Sequence, residues 1–225
     1  MNRLVLFDVD GTLISTSQLK NHVFSEAIKR VYGVDVDVPV INHQGMVDTQ
    51  IIYTLLEKSG IEIAQAEPKI EECRSVIKEI WNRDFAQFKF KLLPGVLEVI
   101  EALSEKGVLM GLVTGNLESI AMDIMREIGL HKYLNFGGFG EDGTDRVELV
   151  RKALAEAGKR GFVPGLAYVI GDTPKDVECG RRTGIKTIAV ATGKFSEEEL
   201  FECDPNYVFK DLSDTNTVVN TVLEG

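Results

Sequence analysis

The sequence predicts an α/β fold in which a parallel sheet is covered by helices on both faces and one all-helical segment is inserted. Three observations carry this. Short apolar runs of β type alternate with stretches of helical periodicity, and repeated βα units favour a parallel sheet. The alternation is broken once, from about Ile14 to Lys91, where only helical spacing is found. Finally, three of the apolar runs end in unusual polar residues, and open parallel sheets bind ligands at the carboxyl ends of their strands.

The first run is "LVLFDVDGTL", residues 4 to 13. In the segment that follows, apolar residues recur at Leu19, Val23, Ala27 and Val31; at Ile51, Ile52, Leu55 and Leu56; and at Cys73, Val76, Ile77, Ile80 and Trp81. From "LLPGV" at 92–96 the pattern changes. A helix is expected over 96–106, a strand over 108–115 ("VLMGLVTG"), a helix over 118–128 and a short strand near "YLNFGGF". The beat then repeats, with a helix over 145–157, a strand over 166–172, a helix over 174–183 and a strand over 186–192. A "YVF" strand and a last helix close the chain. Residues 1–14 and 92–225 therefore form the sheet-bearing core and 15–91 the insert.

Composition narrows the class. A chain of 225 residues with 44% hydrophobic content can bury a proper core. Its formal charge of -10 argues against a nucleic-acid or anionic-membrane surface, which needs clustered Lys and Arg. Cys73, Cys179 and Cys203 form no CxxC pair, so reduced thiols and a cytoplasmic location are expected. The run into the first strand leads to the expectation of no targeting leader, and no stretch has the length and apolarity of a membrane span.

The chemistry gathers at the strand ends. One aspartate there would be an ordinary turn residue, but Asp8 and Asp10 stand at i and i+2, which on a strand puts both carboxylates on one face. Their repulsion asks for a cation. The strand over 108–115 ends in Thr114, Gly115 and Asn116 just before a helix, a favourable place for an anion. The strand over 166–172 ends in "GDTPKD", where Asp172 and Asp176 are one helical turn apart. Four carboxylates converging on one edge suit a divalent ion that prefers hard oxygen ligands, such as Mg²⁺.

"DVDGTL", "VTGN", a basic residue before a helix and "GDTPKD", in that order and each after an apolar strand, resemble the signature motifs of the haloacid dehalogenase superfamily. The resemblance covers nearly the whole chain, because the helical segment and the "LLPGV" re-entry are similar to the cap of the phosphoglycolate phosphatase-like branch. It implies a Rossmann-like core, Mg²⁺, and phosphoryl transfer through an aspartyl-phosphate. By resemblance, Asp8 is the nucleophile and Asp10 the acid that protonates the leaving group and then activates water. The Asp8 carboxylate, the Asp10 main-chain carbonyl and Asp172 hold the metal, with Asp176 at an outer position. Thr114, with the backbone of Gly115 and Asn116, holds phosphate oxygens. The basic residue is Arg146 in "EDGTDRVELVRKAL", with Lys152 the second candidate. Asp48, in "HQGMVDTQI", either meets substrate or caps the helix after it.

The expected activity is hydrolysis of a small phosphorylated metabolite, phosphoglycolate-like or a sugar phosphate, by a monomer or homodimer. A sugar-phosphate mutase of the same superfamily shares Asp10 and stays open. Dehalogenase and phosphonate-cleaving branches are disfavoured because they need no acid there. "GFGEDG" at 138–143 fits GxGxxG, but Glu141 and Asp142 would face a pyrophosphate with negative charge, which weakens a dinucleotide-binding reading. A receiver-type signalling domain lacks an insert of this size. His22, His43 and His131 are scattered, without a metal-type spacing.

Overall fold

The computed structural model describes residues 2–15, 20–41, 44–163 and 165–225. Leu19 and His43 lie outside them. The core strands are β1 (Arg3–Phe7), β2 (Leu109–Val113), β3 (Gly137–Gly138), β4 (Leu166–Gly171), β5 (Lys186–Val190) and β6 (Tyr207–Phe209). All pair in parallel, in the order β3-β2-β1-β4-β5-β6. Strand order reverses at β1, so the crevice between the carboxyl ends of β1 and β4 is where this topology places a ligand.

Period two explains how the sheet is covered on both faces. Leu4 and Leu6 of β1 join Ala167 and Val169 of β4 in one cluster, with Val147, Val150, Ala153 and Ala157. Val5 and Phe7 point the other way, into a larger cluster with Tyr168 and Ile170. The helices of the insert are α1 (Lys20–Tyr32), α2 (Asp48–Lys58), α3 (Ile63–Ala66) and α4 (Ile70–Asp84). Those of the core are α5 (Val96–Glu105), α6 (Glu118–Glu127), α7 (Arg146–Lys159), α8 (Pro174–Thr183), α9 (Glu197–Phe201) and α10 (Thr215–Glu224). The larger cluster continues from the sheet through Val23, Ala27, Ile52, Leu56, Ile77 and Trp81, so insert and core share apolar packing.

Both chain passages between core and insert run side by side. Ile14 bridges Leu92, Ser15 N donates to Lys91 O at 3.0 Å, and Leu93 N donates to Leu13 O at 3.0 Å. They leave the sheet at its carboxyl edge, where residues 46–49 of the insert meet Gly115 and Gly140.

Two sequence expectations need correction. The first strand stops at Phe7, before Asp8 and Asp10, which were expected on it, and α9 was not foreseen. After Asp8 the chain coils tightly: Leu13 N and Ile14 N both donate to Val9 O, and Gly11 takes φ +87, a conformation open to glycine at little cost. Asp8 and Asp10 therefore do not share a strand face. Of the described residues, no helix is long and apolar enough to cross a membrane, and the three cysteines are free thiols.

Candidate active site

Asp8 sits one residue beyond β1, still anchored to the sheet by its N–H to Ile170 O at 2.9 Å. Asp172 sits one residue beyond β4. Asp176 is at the third position of α8, whose first turn is shaped by a reciprocal cap: Thr173 Oγ1 accepts from Asp176 N, and the Asp176 carboxylate accepts from Thr173 N at 3.0 Å. The result is a buried cluster in which one carboxylate oxygen from each of Asp8, Asp172 and Asp176 lies within 4.8 Å of the others.

Arg146, the first residue of α7, enters this cluster. Its Nη2 donates to Asp8 Oδ1 at 2.8 Å and to Val113 O at 3.0 Å, and it pairs with Asp176. A cation at a helix N-terminus opposes the helix dipole unless anions surround it, which is the situation here. Lys152, by contrast, points to Asp142 and Glu156 and is nearly half exposed. Of the two basic candidates, only Arg146 reaches the aspartates.

The carboxylate of Asp10 turns away from this cluster. Its Oδ2 accepts from Asn116 Nδ2 at 2.8 Å, and the same amide donates to Thr114 Oγ1 at 3.0 Å. Three carboxylates converge rather than the expected four, because the coil after β1 redirects the fourth. The arrangement separates one carboxylate fixed by arginine from another fixed by an amide.

Electrostatics make the three-acid cluster unusual. Burial pushes Asp8 up to about 7, against the lowering charge of Arg146 and with a further push from Asp176. Burial, then the charges of Asp8 and Asp176, pushes Asp172 up to about 8. Burial works against the Arg146 charge, but Asp176 and Asp8 outweigh it and its pKa moves up. One arginine thus faces three buried carboxylates, and the group is short of positive charge. Asp176 Oδ2 is held by Thr173, while Oδ1 is ion-paired to Arg146 and has no hydrogen bond. Each of Asp8, Asp172 and Asp176 brings a carboxylate oxygen to this cluster, a hard donor set that fits Mg²⁺.

Several neighbours were not singled out from the sequence. Thr12 Oγ1 donates to Asp172 Oδ1 at 3.2 Å. A methyl group on Gly11 or on Gly193 would overlap the Asp172 carboxylate, so both glycines hold space for it. Thr192 Oγ1 donates to Gly11 O at 2.6 Å, which ties the end of β5 to the same coil. The rule that strand ends line the ligand edge applies to "ATGK" after β5 as much as to the other three ends.

The insert reaches the site through residues 45–49. Gly115 passes so close to the backbone of Met46 that a side chain there would collide with Met46 O. Asp48 N donates to Gly115 O at 2.9 Å, and Thr49 Oγ1 donates to Gly140 O at 2.9 Å. Asp48 was expected either to meet substrate or to cap its own helix. It makes no cap to its own helix; its carboxylate accepts from Leu117 N at 3.2 Å, the residue just before α6. "GFGEDG" ends at Gly143, just ahead of α7 and its N-cap Asp145; Glu141 faces Lys78 and Glu118 N, and Asp142 accepts from Phe139 N, as structural contacts. Of the histidines within the described residues, His22 lies 2.9 Å from Asp84 in the insert, away from the cluster.

A parallel sheet with buried aspartates at the carboxyl ends of β1 and β4, bound to an arginine from a third element, defines an enzyme of the phosphatase kind. The family model for haloacid dehalogenase-like hydrolases matches residues 5–190, and the chain belongs to that family. It is 22% identical to a phosphoglycolate phosphatase of Agrobacterium fabrum over 223 residues, 95% of this chain and 90% of that protein. It is 24% identical to the pyrophosphatase PpaX of Bacillus pumilus over 216 residues, 96% of this chain and 95% of that protein. Among solved structures, a hydrolase from Pseudomonas syringae superposes with a TM-score of 0.73 at 21% identity, covering 98% of this chain and 99% of that one.

Proposed function

We propose that this chain hydrolyses a small phosphate monoester, or an equally small phosphoryl compound, by passing the phosphoryl group first to Asp8 and then to water. The observation that carries the reading is the hydrogen bond from Arg146 Nη2 to Asp8 Oδ1, 2.8 Å, inside a buried cluster with Asp172 and Asp176. A carboxylate is a competent nucleophile toward phosphorus when positive charge surrounds it and its geometry is fixed in advance.

In this reading an Asp8 oxygen attacks phosphorus in line. The bond to the leaving oxygen breaks as the bond to Asp8 forms, and Asp10, held by Asn116, gives the departing oxygen its proton. Asp10 then takes a proton from water, which attacks the same phosphorus and frees Asp8 with release of inorganic phosphate. Thr114 and the backbone around Gly115 and Asn116 hold phosphate oxygens. Asp8, Asp172 and the Asp10 carbonyl would hold Mg²⁺, with Asp176 behind them, and the bound ion supplies the positive charge that lets a phosphate dianion approach a carboxylate. Residues 15–91 act as a cap, which excludes bulky substrates and water.

The test is phosphate release from a panel of small phosphate esters, including p-nitrophenyl phosphate, with Mg²⁺ and with excess chelator. Release that needs Mg²⁺ and is lost in Asp8→Asn supports the reading. Full release in chelator contradicts it, and isomerised sugar phosphate in place of inorganic phosphate assigns the mutase reaction instead.

A further inference from the structure

Lys175 is a charged residue that no opposite charge among the described residues holds in an ion pair. It is the second residue of α8, between Pro174 and Asp176, where the helix dipole opposes a cation. It is only partly exposed. It is close enough to Arg146 for the two like charges to repel, with Glu178 and Asp176 as weaker opposite charges. Arg146 meets the same helix-start penalty but is surrounded by aspartates. Lys175 has no hydrogen bond or ion pair to any described residue. Three unfavourable features thus coincide at one side chain, and unrelieved conflicts of this kind concentrate where a protein meets its ligand.

The position of the stem indicates which part of a ligand is met. Gly45 of the insert, at φ +64, lies directly against Lys175; a methyl group on that glycine would stand 3.2 Å from Lys175 Cβ and 3.3 Å from Cδ. The same glycine approaches Thr173, the cap of α8. The stem of Lys175 therefore runs along the seam between core and insert, at the margin of the aspartate cluster. In-line attack by Asp8 places the leaving group on the far side of phosphorus, toward whatever covers the sheet edge. That cover is the loop containing Gly45.

We infer that Lys175 binds an anionic group on the leaving-group half of the substrate, a carboxylate or a second phosphoryl group, and so selects phosphoryl compounds whose leaving group is itself charged. This rests on the phosphatase reading above and deepens it. A half-buried ammonium that gains an anion recovers the desolvation and dipole penalties it carries in the free enzyme, which makes the contact stronger than one at an open surface. An uncharged leaving group would leave those penalties in place. Glycolate and phosphate as leaving groups satisfy the requirement, and a plain alcohol does not.

The experiment compares kcat/KM for 2-phosphoglycolate, inorganic pyrophosphate and ethyl phosphate, using the full chain with Mg²⁺ and its variants Lys175→Met, Lys175→Gln and Lys175→Arg. The unaltered enzyme should prefer at least one of the two anionic substrates to ethyl phosphate. Lys175→Met and Lys175→Gln should raise KM for that substrate about tenfold or more, the scale of one charge-assisted contact. Ethyl phosphate should change by no more than about twofold in the same variants, and Lys175→Arg should keep most of the preference. The ratio between substrates is insensitive to partial misfolding, which lowers both alike. Equal losses on charged and uncharged substrates, no loss on either, or an unaltered enzyme that favours ethyl phosphate would each overturn the inference. Hydrolysis of p-nitrophenyl phosphate by the unaltered enzyme, measured alongside, shows separately whether the phosphatase reading stands.

Discussion

Arg146 and Asp8 are 138 residues apart in the chain and 2.8 Å apart in the fold, both almost wholly buried, with the guanidinium also held by Val113 O. The pair joins the start of α7 to the end of β1 across β2. It places a permanent positive charge on the oxygen-bearing end of the carboxylate assigned to attack.

Arg146→Ala should therefore lower kcat by about a hundredfold to a thousandfold, the loss typical of one preorganised charge-stabilising donor. Lys152→Ala should stay within about twofold, since that ammonium reaches only Asp142 and Glu156 at the surface. Steady-state kinetics on p-nitrophenyl phosphate decide it; the reverse ranking would transfer the role to Lys152.

The two first-motif aspartates should separate by leaving group. Asp8→Asn should abolish both turnover and any acid-stable phosphoenzyme. Asp10→Asn should keep the fold through its amide contact with Asn116, and lose most rate on alkyl esters, whose leaving oxygen needs a proton. An Asp10→Asn loss that is the same for alkyl and p-nitrophenyl esters contradicts the acid assignment.

Metal affinity and pH should be linked with a definite sign. Asp8 is pushed up to about 7 and Asp172 to about 8, from an ordinary value of 3.8. Between these limits the folded protein keeps protons that the unfolded chain has released. The metal-free protein should thus lose stability as pH rises from about 4 to about 8, with no such dependence below the unfolded value. Mg²⁺ replaces those protons, so its effect on Tm should be larger near about pH 8 than near about pH 5.5. Thermal unfolding with and without Mg²⁺ at the two pH values is the check, and a larger shift at the lower pH would refute the linkage.

Gly193→Ala tests the space kept for Asp172, because its methyl group would overlap that carboxylate. The variant should raise the Mg²⁺ concentration for half-maximal activity about tenfold or more, the scale seen when a ligand's support is disturbed. An unchanged Mg²⁺ titration would show that the carboxylate moves aside without consequence.

Asp48 should prove a clasp between insert and core. Removing its carboxylate in Asp48→Ala leaves Leu117 N without that acceptor, and the loss should be about 1 kcal/mol in urea unfolding, as for an ordinary helix cap. Asp48→Asn keeps an acceptor oxygen and should restore most of it. If both variants unfold like the unaltered protein, the contact does not hold the insert.

What the sequence determined by itself was local and periodic. Alternating apolar runs specify strands buried on both faces, and a 3.6-residue period specifies helices, so β2, β4, β5, α5, α6, α7 and α8 were legible to within a few residues. Motif order brought Asp8, Thr114, Arg146, Asp172 and Asp176 to one edge, because parallel strands all end on the same side. Tertiary structure decided what depends on direction and close approach. A glycine coil after Phe7 turned Asp10 toward Asn116, although strand periodicity alone had set it beside Asp8. Asp48 found Leu117 N, just before α6, rather than its own helix, because the insert lies against the core at Gly115. Gly11 and Gly193 were invisible as partners of Asp172, since a missing Cβ has meaning only when its neighbour in space is known. Spacing along a chain predicts which edge of the sheet a side chain reaches, whereas the partner it finds there depends on packing among elements far apart in sequence.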